Sequence, residues 1–240
     1  MIDTTERSPG EVSQLVAHWI RAHLATAKNE RYNSGMNEPD PFADLKRRQR
    51  EMWASFTPTA IFTTPVAGHL VRFAGVAADE DVLDVGTGTG VVAITAARAG
   101  ARVTGLDLTP ELLDQARENA RIAQMPHIVW TEGDAENLPY PDASFDLVVS
   151  QFGHMFAPRP EIAVTEMRRV LKPGGRIAFA TWPPEHFVGR LFAFVGRNSP
   201  PPPVGAAPHR SGATRRSSRS AWRPASTPRS SRGAPCAFRR

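Results

Sequence analysis

From Asp81 onward, short runs rich in β-branched residues alternate with runs of helical period, and that alternation leaves few folds open. The strand-like runs are VLDV (82–85), RVTGLD (102–107), HIVWTE (127–132), FDLVVSQ (145–151) and RIAFATW (176–182). Between them lie GVVAITAARA, then PELLDQARENARIA with Thr109 as its cap, and PEIAVTEMRRVL, which stops at Lys172-Pro173-Gly174-Gly175. Strands joined by helices give a doubly wound parallel sheet, whose ligand lies beyond the carboxyl ends of the strands.

Three helices precede the sheet. Ser8-Pro9-Gly10-Glu11 reads as a capping box opening a helix over 11–27 with Val12, Leu15, Val16, Trp19, Ile20 and Leu24 at helical spacing. A second, over 41–56, starts at Asp40-Pro41 with an apolar stripe of Phe42, Leu45, Met52, Trp53 and Phe56. A third starts at Thr64-Pro65 and carries Leu70, Val71 and Phe73. Beyond Trp182, PPEHFVGRLFAFVGR has the period of one more helix. From His209 the sequence is arginine, serine, proline and alanine without apolar period, the composition of a disordered tail.

Charge separates that tail from the body. Gly205–Arg240 holds nine arginines and no acid, so taking those nine from the whole-chain +5 leaves residues 1–204 at −4. The single cysteine, Cys236, allows no intrachain disulfide, which suits a reducing compartment. No apolar run approaches the ~18 residues of a membrane span, and the N-terminus lacks the order of a signal peptide. The expected setting is the cytoplasm, without membrane attachment.

The first strand runs straight into glycines, as VLDVGTGTGVV. No lysine follows them as a nucleoside-triphosphate loop requires. Gly88–Ala93 does fit the dinucleotide form G-x-G-x-x-[GA], with Asp107 placed to hold a ribose, so an NAD-dependent oxidoreductase stays open. Two features favour S-adenosylmethionine. Asp84 stands two residues before Gly86, where a carboxylate repels a pyrophosphate but suits a sulfonium with an ammonium group. Gly133-Asp134-Ala135-Glu136 follows the third strand, where a carboxylate can accept from an adenine amino group while the next N–H donates to a ring nitrogen.

VLDVGTGTG, GLD, GDAENLPYPDASFDLVVSQFG and EMRRVLKPGGRIAFATW together resemble the class I S-adenosylmethionine-dependent methyltransferases, in the type 11 branch typified by ubiquinone and menaquinone biosynthesis enzymes. The resemblance runs from about Arg48 to Pro203. It implies a Rossmann-like α/β sheet of order 3-2-1-4-5, here lacking the usual sixth and seventh strands. Residues 1–62 would form a helical lid, 63–204 the S-adenosylmethionine-binding domain and 205–240 the tail.

By that resemblance the cofactor lies against Asp84, Gly86, Thr87, Gly88 and Gly90. Asp107 accepts from both ribose hydroxyls, Leu108 packs on the adenine, and Asp134, Ala135 and Glu136 hold its edge. Ser150 and Gln151 line the region near the sulfur. Trp53 and Phe56 are candidates to wall the site from the lid, with core packing, the commoner role of an aromatic stripe at helical spacing, as their alternative. His154 is the candidate general base, with packing as its alternative role. The implied partner is a small-molecule acceptor of oxygen, carbon or nitrogen type. No metal and no nucleic acid are expected, and the chain is expected to be a monomer or weak dimer.

The tail departs from the family. Read one base earlier, codons behind Ser211–Arg223 can spell LWGDPAVVAERLA, much like what this branch carries there, so a frameshift is the expectation. A native arginine-rich arm binding nucleic acid is the competitor, and a truncated remnant that still binds the donor is the non-enzymatic reading. Either way the fifth strand becomes a sheet edge with incomplete cover over Ile177 and Phe179. The thermal midpoint, followed by circular dichroism, is therefore expected below about 65 °C.

Overall fold

The computed structural model describes residues 40–55, 57–182, 185–199 and 201–207. The expected helix over 11–27, Phe56 and the arginine-rich stretch with Cys236 lie outside the described residues. Five parallel strands, β1 (Asp81–Val85), β2 (Arg102–Asp107), β3 (Val129–Glu132), β4 (Phe145–Gln151) and β5 (Leu171–Ala180), form one sheet in the order β3-β2-β1-β4-β5. Helices α1 (Ala43–Trp53) and α2 (Thr64–Ala74) precede it, separated by a 3-10 turn at Thr57–Phe62. Helices α3 (Val91–Arg98), α4 (Pro110–Ile122) and α5 (Pro160–Arg169) alternate with the strands, and α6 (Phe187–Arg197) follows β5.

Period-two alternation assigns each strand residue to a layer. Val82, Val103, Leu147 and Val149 face α2 and α3, packing on Leu70, Val71, Val92 and Ala96. Leu83, Val85, Leu106 and Val148 face the other way, onto Met167 and Val170 at the end of α5. Asp84 shares parity with Val82 and therefore points at the start of α3. Trp130 of β3 lies over glycines: a Cβ on Gly105 or Gly90 would meet its ring at 2.6 and 2.7 Å.

The junction between α5 and β5 differs from the sequence reading. Helix α5 ends at Arg169 rather than residue 171, and β5 begins at Leu171 rather than 176. The Lys-Pro-Gly-Gly segment is an irregularity inside β5, where pairing jumps from Phe145↔Leu171 to Leu147↔Arg176. Gly174 takes φ +79°, and the Lys172 ammonium reaches Asp81 (2.8 Å) and Asp146 (2.9 Å), which holds the segment to the sheet.

The second correction concerns α1. Of the expected apolar stripe Phe42 is buried and Leu45 and Trp53 are half-buried, but Met52 is 54% exposed, and within the helix the buried side chains are Lys46 and Gln49. The surface beneath α1 is the loop layer at the strand tips, which offers carboxylates and carbonyls, so the helix turns its polar side inward. The sequence after β5 also returns to this end, with the Ala207 N–H donating to the Pro158 carbonyl (2.6 Å).

The loops after β1 and β4 touch through backbone alone. A Cβ on Gly153 would lie 2.7 Å from Gly86 Cα, 3.0 Å from Gly86 O and 3.1 Å from Val85 O. Gly153→Ala is expected to destabilise by about 1–3 kcal/mol. By contrast, Gly68 on α2 has nothing within 4 Å of its added Cβ, and Gly68→Ala is expected to stabilise by roughly 0.5–1 kcal/mol. Urea unfolding of the two variants measures both signs.

Candidate cofactor and active site

The turn after β1 needs its glycines. Gly86, Gly88 and Gly90 take φ +68°, +55° and +83°, the left-handed region that a side chain disfavours. Asp84 ties this turn to the helix behind it: its Oδ2 accepts from the Thr87 hydroxyl (2.6 Å) and from the Ala93 N–H (3.1 Å) in the first turn of α3. Its Oδ1 is buried and has no partner among the described residues. Burial, only partly opposed by the Thr87 and Ala93 hydrogen bonds, pushes the Asp84 carboxyl up to about 7.

Asp107 ends β2 one strand away. Its Oδ2 accepts the Gly88 N–H (2.7 Å), binding the glycine turn to the neighbouring tip, and its Oδ1 accepts the Thr109 N–H (2.9 Å), capping α4 in place of the Thr109 side chain. Each oxygen keeps a further lone pair. Burial raises this carboxyl as well. The Gly133 N–H donates to the Asp107 carbonyl (2.9 Å), so the tips of β2 and β3 are joined directly ahead of Asp134.

A cavity of about 770 Å³ opens over these tips. Of the sequence-predicted residues, Asp84, Gly86, Thr87, Gly88, Asp107, Leu108, Asp134, Ala135 and Gln151 line it. Trp53 lines it too, edge-on to Phe156 at 4.8 Å. The lining also includes the aromatic rings of Phe62, Phe152, Phe156, Trp182 and Phe192. Phe152 holds φ +65°, rare for a bulky residue. Its ring stacks on Trp182 at 4.0 Å and its N–H donates to Ala180 O (2.9 Å).

Four expected site residues do not line the cavity. Gly90 is a packing glycine beneath Trp130. The Glu136 carboxylate, 1% exposed, is taken by Arg159 (2.7 Å) and Lys46 (3.0 Å). Ser150 has the parity of Val148, faces the other layer, and donates to Val85 O (2.7 Å). His154 lies beside it, Nδ1 at 3.2 Å from Ser150 Oγ and its ring 4.3 Å from that of Phe179. Burial pulls His154 down to about 4, so it is neutral and weakly basic at pH 7. The packing role, not the general base, is what this geometry fits.

Other cavity residues went unread in the sequence. Lys46 and Gln49 enter from α1, and Gln49 Nε2 donates to Phe156 O (2.8 Å). In DLKRRQR both sit in a run that reads as a solvated helix face. Gly153, the close contact of Gly86, had a signal: a glycine directly after a strand tip, in QFGHMF.

A parallel sheet with a glycine turn over carboxylate-bearing strand tips defines the Rossmann-like class of nucleoside-binding folds. Comparison with known proteins carries this further. Residues 83–179 match the family model described as a methyltransferase domain, type 11. A Mycobacterium tuberculosis (strain ATCC 25618 / H37Rv) protein, Rv1403c, is 42% identical over 163 residues, covering 67% of this chain and 59% of that protein. The demethylmenaquinone methyltransferase of Tropheryma whipplei (strain Twist) is 40% identical over 124 residues, 50% of each. Among solved structures, the complex of the Haloferax volcanii Trm112 methyltransferase activator with its methyltransferase matches at 28% identity and TM-score 0.50, covering 55% of this chain and 58% of that one.

Residues 83–179 therefore match a methyltransferase domain of the type 11 branch of class I S-adenosylmethionine-dependent methyltransferases, and S-adenosylmethionine is the cofactor that family implies. The chain spans 59% of the length of the Mycobacterium protein. No helix among the described residues is long and apolar enough to cross a membrane.

Asp84 gives the site a pH signature. Its carboxyl titrates near 3.8 when unfolded and about 7 when folded, so between those values the folded chain keeps a proton that the unfolded chain has lost. Stability from this group is therefore highest below about pH 4 and falls as pH rises through 7. His154, depressed from 6.5 to about 4, tilts the opposite way. Unfolding free energies of wild type and Asp84→Asn across pH 4–8 are expected to diverge, the variant gaining relative to wild type as pH rises.

Proposed function

We propose that this chain moves a methyl group from S-adenosylmethionine to a small, uncharged and largely apolar acceptor. The observation that carries the reading is the polarity of one cavity. Its acids, Asp84, Asp107 and Asp134, come from the tips of β1, β2 and β3, whereas its aromatic rings come from α1, the 3-10 turn after it, the segments after β4 and β5, and α6.

The residues present fit the cofactor. The unpartnered Asp84 Oδ1 suits an ammonium group or the water bound to it. A Cβ on Gly88 would meet nothing within 4 Å, so glycine there keeps space beside the turn open. The spare lone pairs of Asp107 suit a ribose diol, which a carboxylate can take in bidentate fashion. Asp134, Ala135 and Leu108 suit an adenine edge and face. What the bound cofactor supplies is a methyl group on a positively charged sulfur, already activated for displacement.

The chain's own contribution is then alignment and exclusion of water. Trp53, Phe62, Phe152, Phe156, Trp182 and Phe192 hold an apolar acceptor, with Gln49, Thr63 and Gln151 as neutral polar contacts. Among the described lining residues the charged ones are Lys46, Asp84, Asp107 and Asp134, and Lys46 is bonded to Asp134. The aromatic lining thus offers no side chain that takes a proton at neutral pH. The acceptor must bring a nucleophilic atom of its own, such as a neutral amine or a readily ionised hydroxyl or carbon acid. An apolar ring acceptor also accords with the name of the Tropheryma relative.

S-Adenosylhomocysteine is expected to bind in calorimetric titration and to raise the thermal midpoint, while NAD at equal concentration does neither. Asp107→Ala is expected to weaken that binding by about tenfold or more, the effect of losing hydrogen bonds to a charged group. Binding of NAD alone would return the dinucleotide reading.

A further inference from the structure

Lys46 stands in Asp44-Leu45-Lys46-Arg47-Arg48, a charged run of helix α1, yet it is only 7% exposed. Its ammonium has three N–H donors and three carboxylates converge on them: Asp40 at 2.7 Å, Asp134 at 2.5 Å and Glu136 at 3.0 Å. Burial pulls the Lys46 pKa down, but the carboxylates, Asp134 foremost, outweigh it and leave it raised. The group is a permanent cation at neutral pH.

The partners are themselves fixed. Glu136 is held by the Arg159 guanidinium (2.7 and 3.0 Å) and by the Arg159 backbone N–H. Arg159 also lies over the Phe42 ring at 5.0 Å and within 3.9 Å of Asp40, closing the cluster from the α5 side. Asp134, the one carboxylate of the three that lines the cavity, is held at both oxygens. Oδ2 accepts from Lys46, and Oδ1 accepts the Glu136 N–H at 2.8 Å. Each oxygen retains one lone-pair direction, and the carboxylate plane cannot turn without breaking one of the two bonds.

We infer that Lys46 is a positioning residue: by pinning Asp134 it makes that carboxylate a fixed acceptor, so that the site selects a purine bearing a 6-amino group over one bearing a 6-oxo group. The inference rests on the proposed function, in which Asp134 meets the adenine edge. A carboxylate accepts from an amino N–H and repels a carbonyl oxygen. If free to rotate, it would swing away from the mismatched oxygen and discriminate little. Held at both oxygens, it leaves a mismatched base with an unpaired buried contact, and contacts of that kind give recognition its strongest rejections. Lys46 touches no reacting atom; it acts through Asp134.

The test compares, by calorimetry, binding of S-adenosylhomocysteine and S-inosylhomocysteine, which differ in that amino-to-oxo exchange and in the proton that N1 gains with it. The N1 contribution is common to wild type and variants, so the change in preference between them reads Asp134. The wild-type protein is expected to prefer the adenosine compound by about tenfold or more, as for a hydrogen bond to a charged group. Lys46→Met is expected to shrink that preference at least fivefold, chiefly by tightening binding of the inosine compound, whose oxygen the freed carboxylate no longer opposes. Arg50→Ala removes the α1 contact to Glu132 (2.8 Å) without touching Asp134 or the cavity lining, and is expected to leave the preference as in wild type. That separates positioning of Asp134 from general loosening of the helix. An unchanged preference in Lys46→Met, or an equal loss in Arg50→Ala, overturns the inference. Wild-type protein that binds neither compound overturns the proposed function and this inference with it.

Because removing a buried cation can unfold α1, a second measurement uses the wild-type protein. The ¹⁵N resonance of the Lys46 ammonium, assigned with Lys46→Arg, is expected to shift with S-adenosylhomocysteine and to stay put with S-inosylhomocysteine. No shift with the first compound overturns the inference.

Discussion

Everything at the upper end of this sheet depends on how the Asp84 carboxylate is held. A carboxylate buried in a sheet core is expensive to desolvate and survives only when hydrogen-bonded. Here Oδ2 takes the Thr87 hydroxyl and the Ala93 N–H, the latter in the first turn of α3, where orphan amides and the helix dipole favour negative charge. That grip folds the three glycines over the strand tip. It sets Gly86 against Gly153, so the loops after β1 and β4 share one backbone contact. The same arrangement leaves the other oxygen without a partner beside a cavity, which a stable fold would not select for its own sake.

Polarity is then sorted by element around the cavity. Acids occupy consecutive strand tips because backbone N–H groups converge there: the starts of α3 and α4 bring them to Asp84 and Asp107, and the turn after β3 brings the Glu136 N–H to Asp134. Aromatics come from α1, the 3-10 turn after it, the segments after β4 and β5, and α6. Such an arrangement suits a cationic donor and an apolar acceptor, joined in one water-poor space. Helix α1 joins both sets, through Lys46 to the acids and through Gln49 with Trp53 to Phe156. Buried ion clusters of this sort are weak contributors to net stability, since desolvation offsets most of the attraction. Their value lies in fixing geometry, and Asp134 is where that geometry meets the cavity.

Much of the fold could be read before any coordinates. Strands β2 and β4 and the starts of α2 and α4 fall where alternation, Thr-Pro junctions and glycines placed them. Failures occurred where a local rule met a neighbour it could not see. The Lys-Pro-Gly-Gly segment reads as a helix stop followed by a loop, but Lys172 bonds to Asp81 and Asp146 and keeps it in the sheet. The apolar stripe of α1 predicts the burial of Phe42, but the helix lies on carboxylates and carbonyls, so it also buries Lys46 and Gln49 and leaves Met52 exposed. Ser150 and His154 sit next to Gln151 in sequence, but strand parity sends Ser150 to the other layer and His154 follows it there.

By itself the sequence determined the doubly wound sheet, the glycine turn, and the three acids at successive strand tips, because these depend on local period, backbone permissiveness and the direction of parallel strands. Which of the neighbouring polar groups face the cavity was decided only by tertiary structure. Glu136 is withdrawn by Arg159 and Lys46, and His154 is buried against Phe179. Lys46, remote by 88 positions, arrives at Asp134. Contacts of that separation leave no periodic trace, since they are fixed by how whole layers pack and not by the order of residues within any one of them.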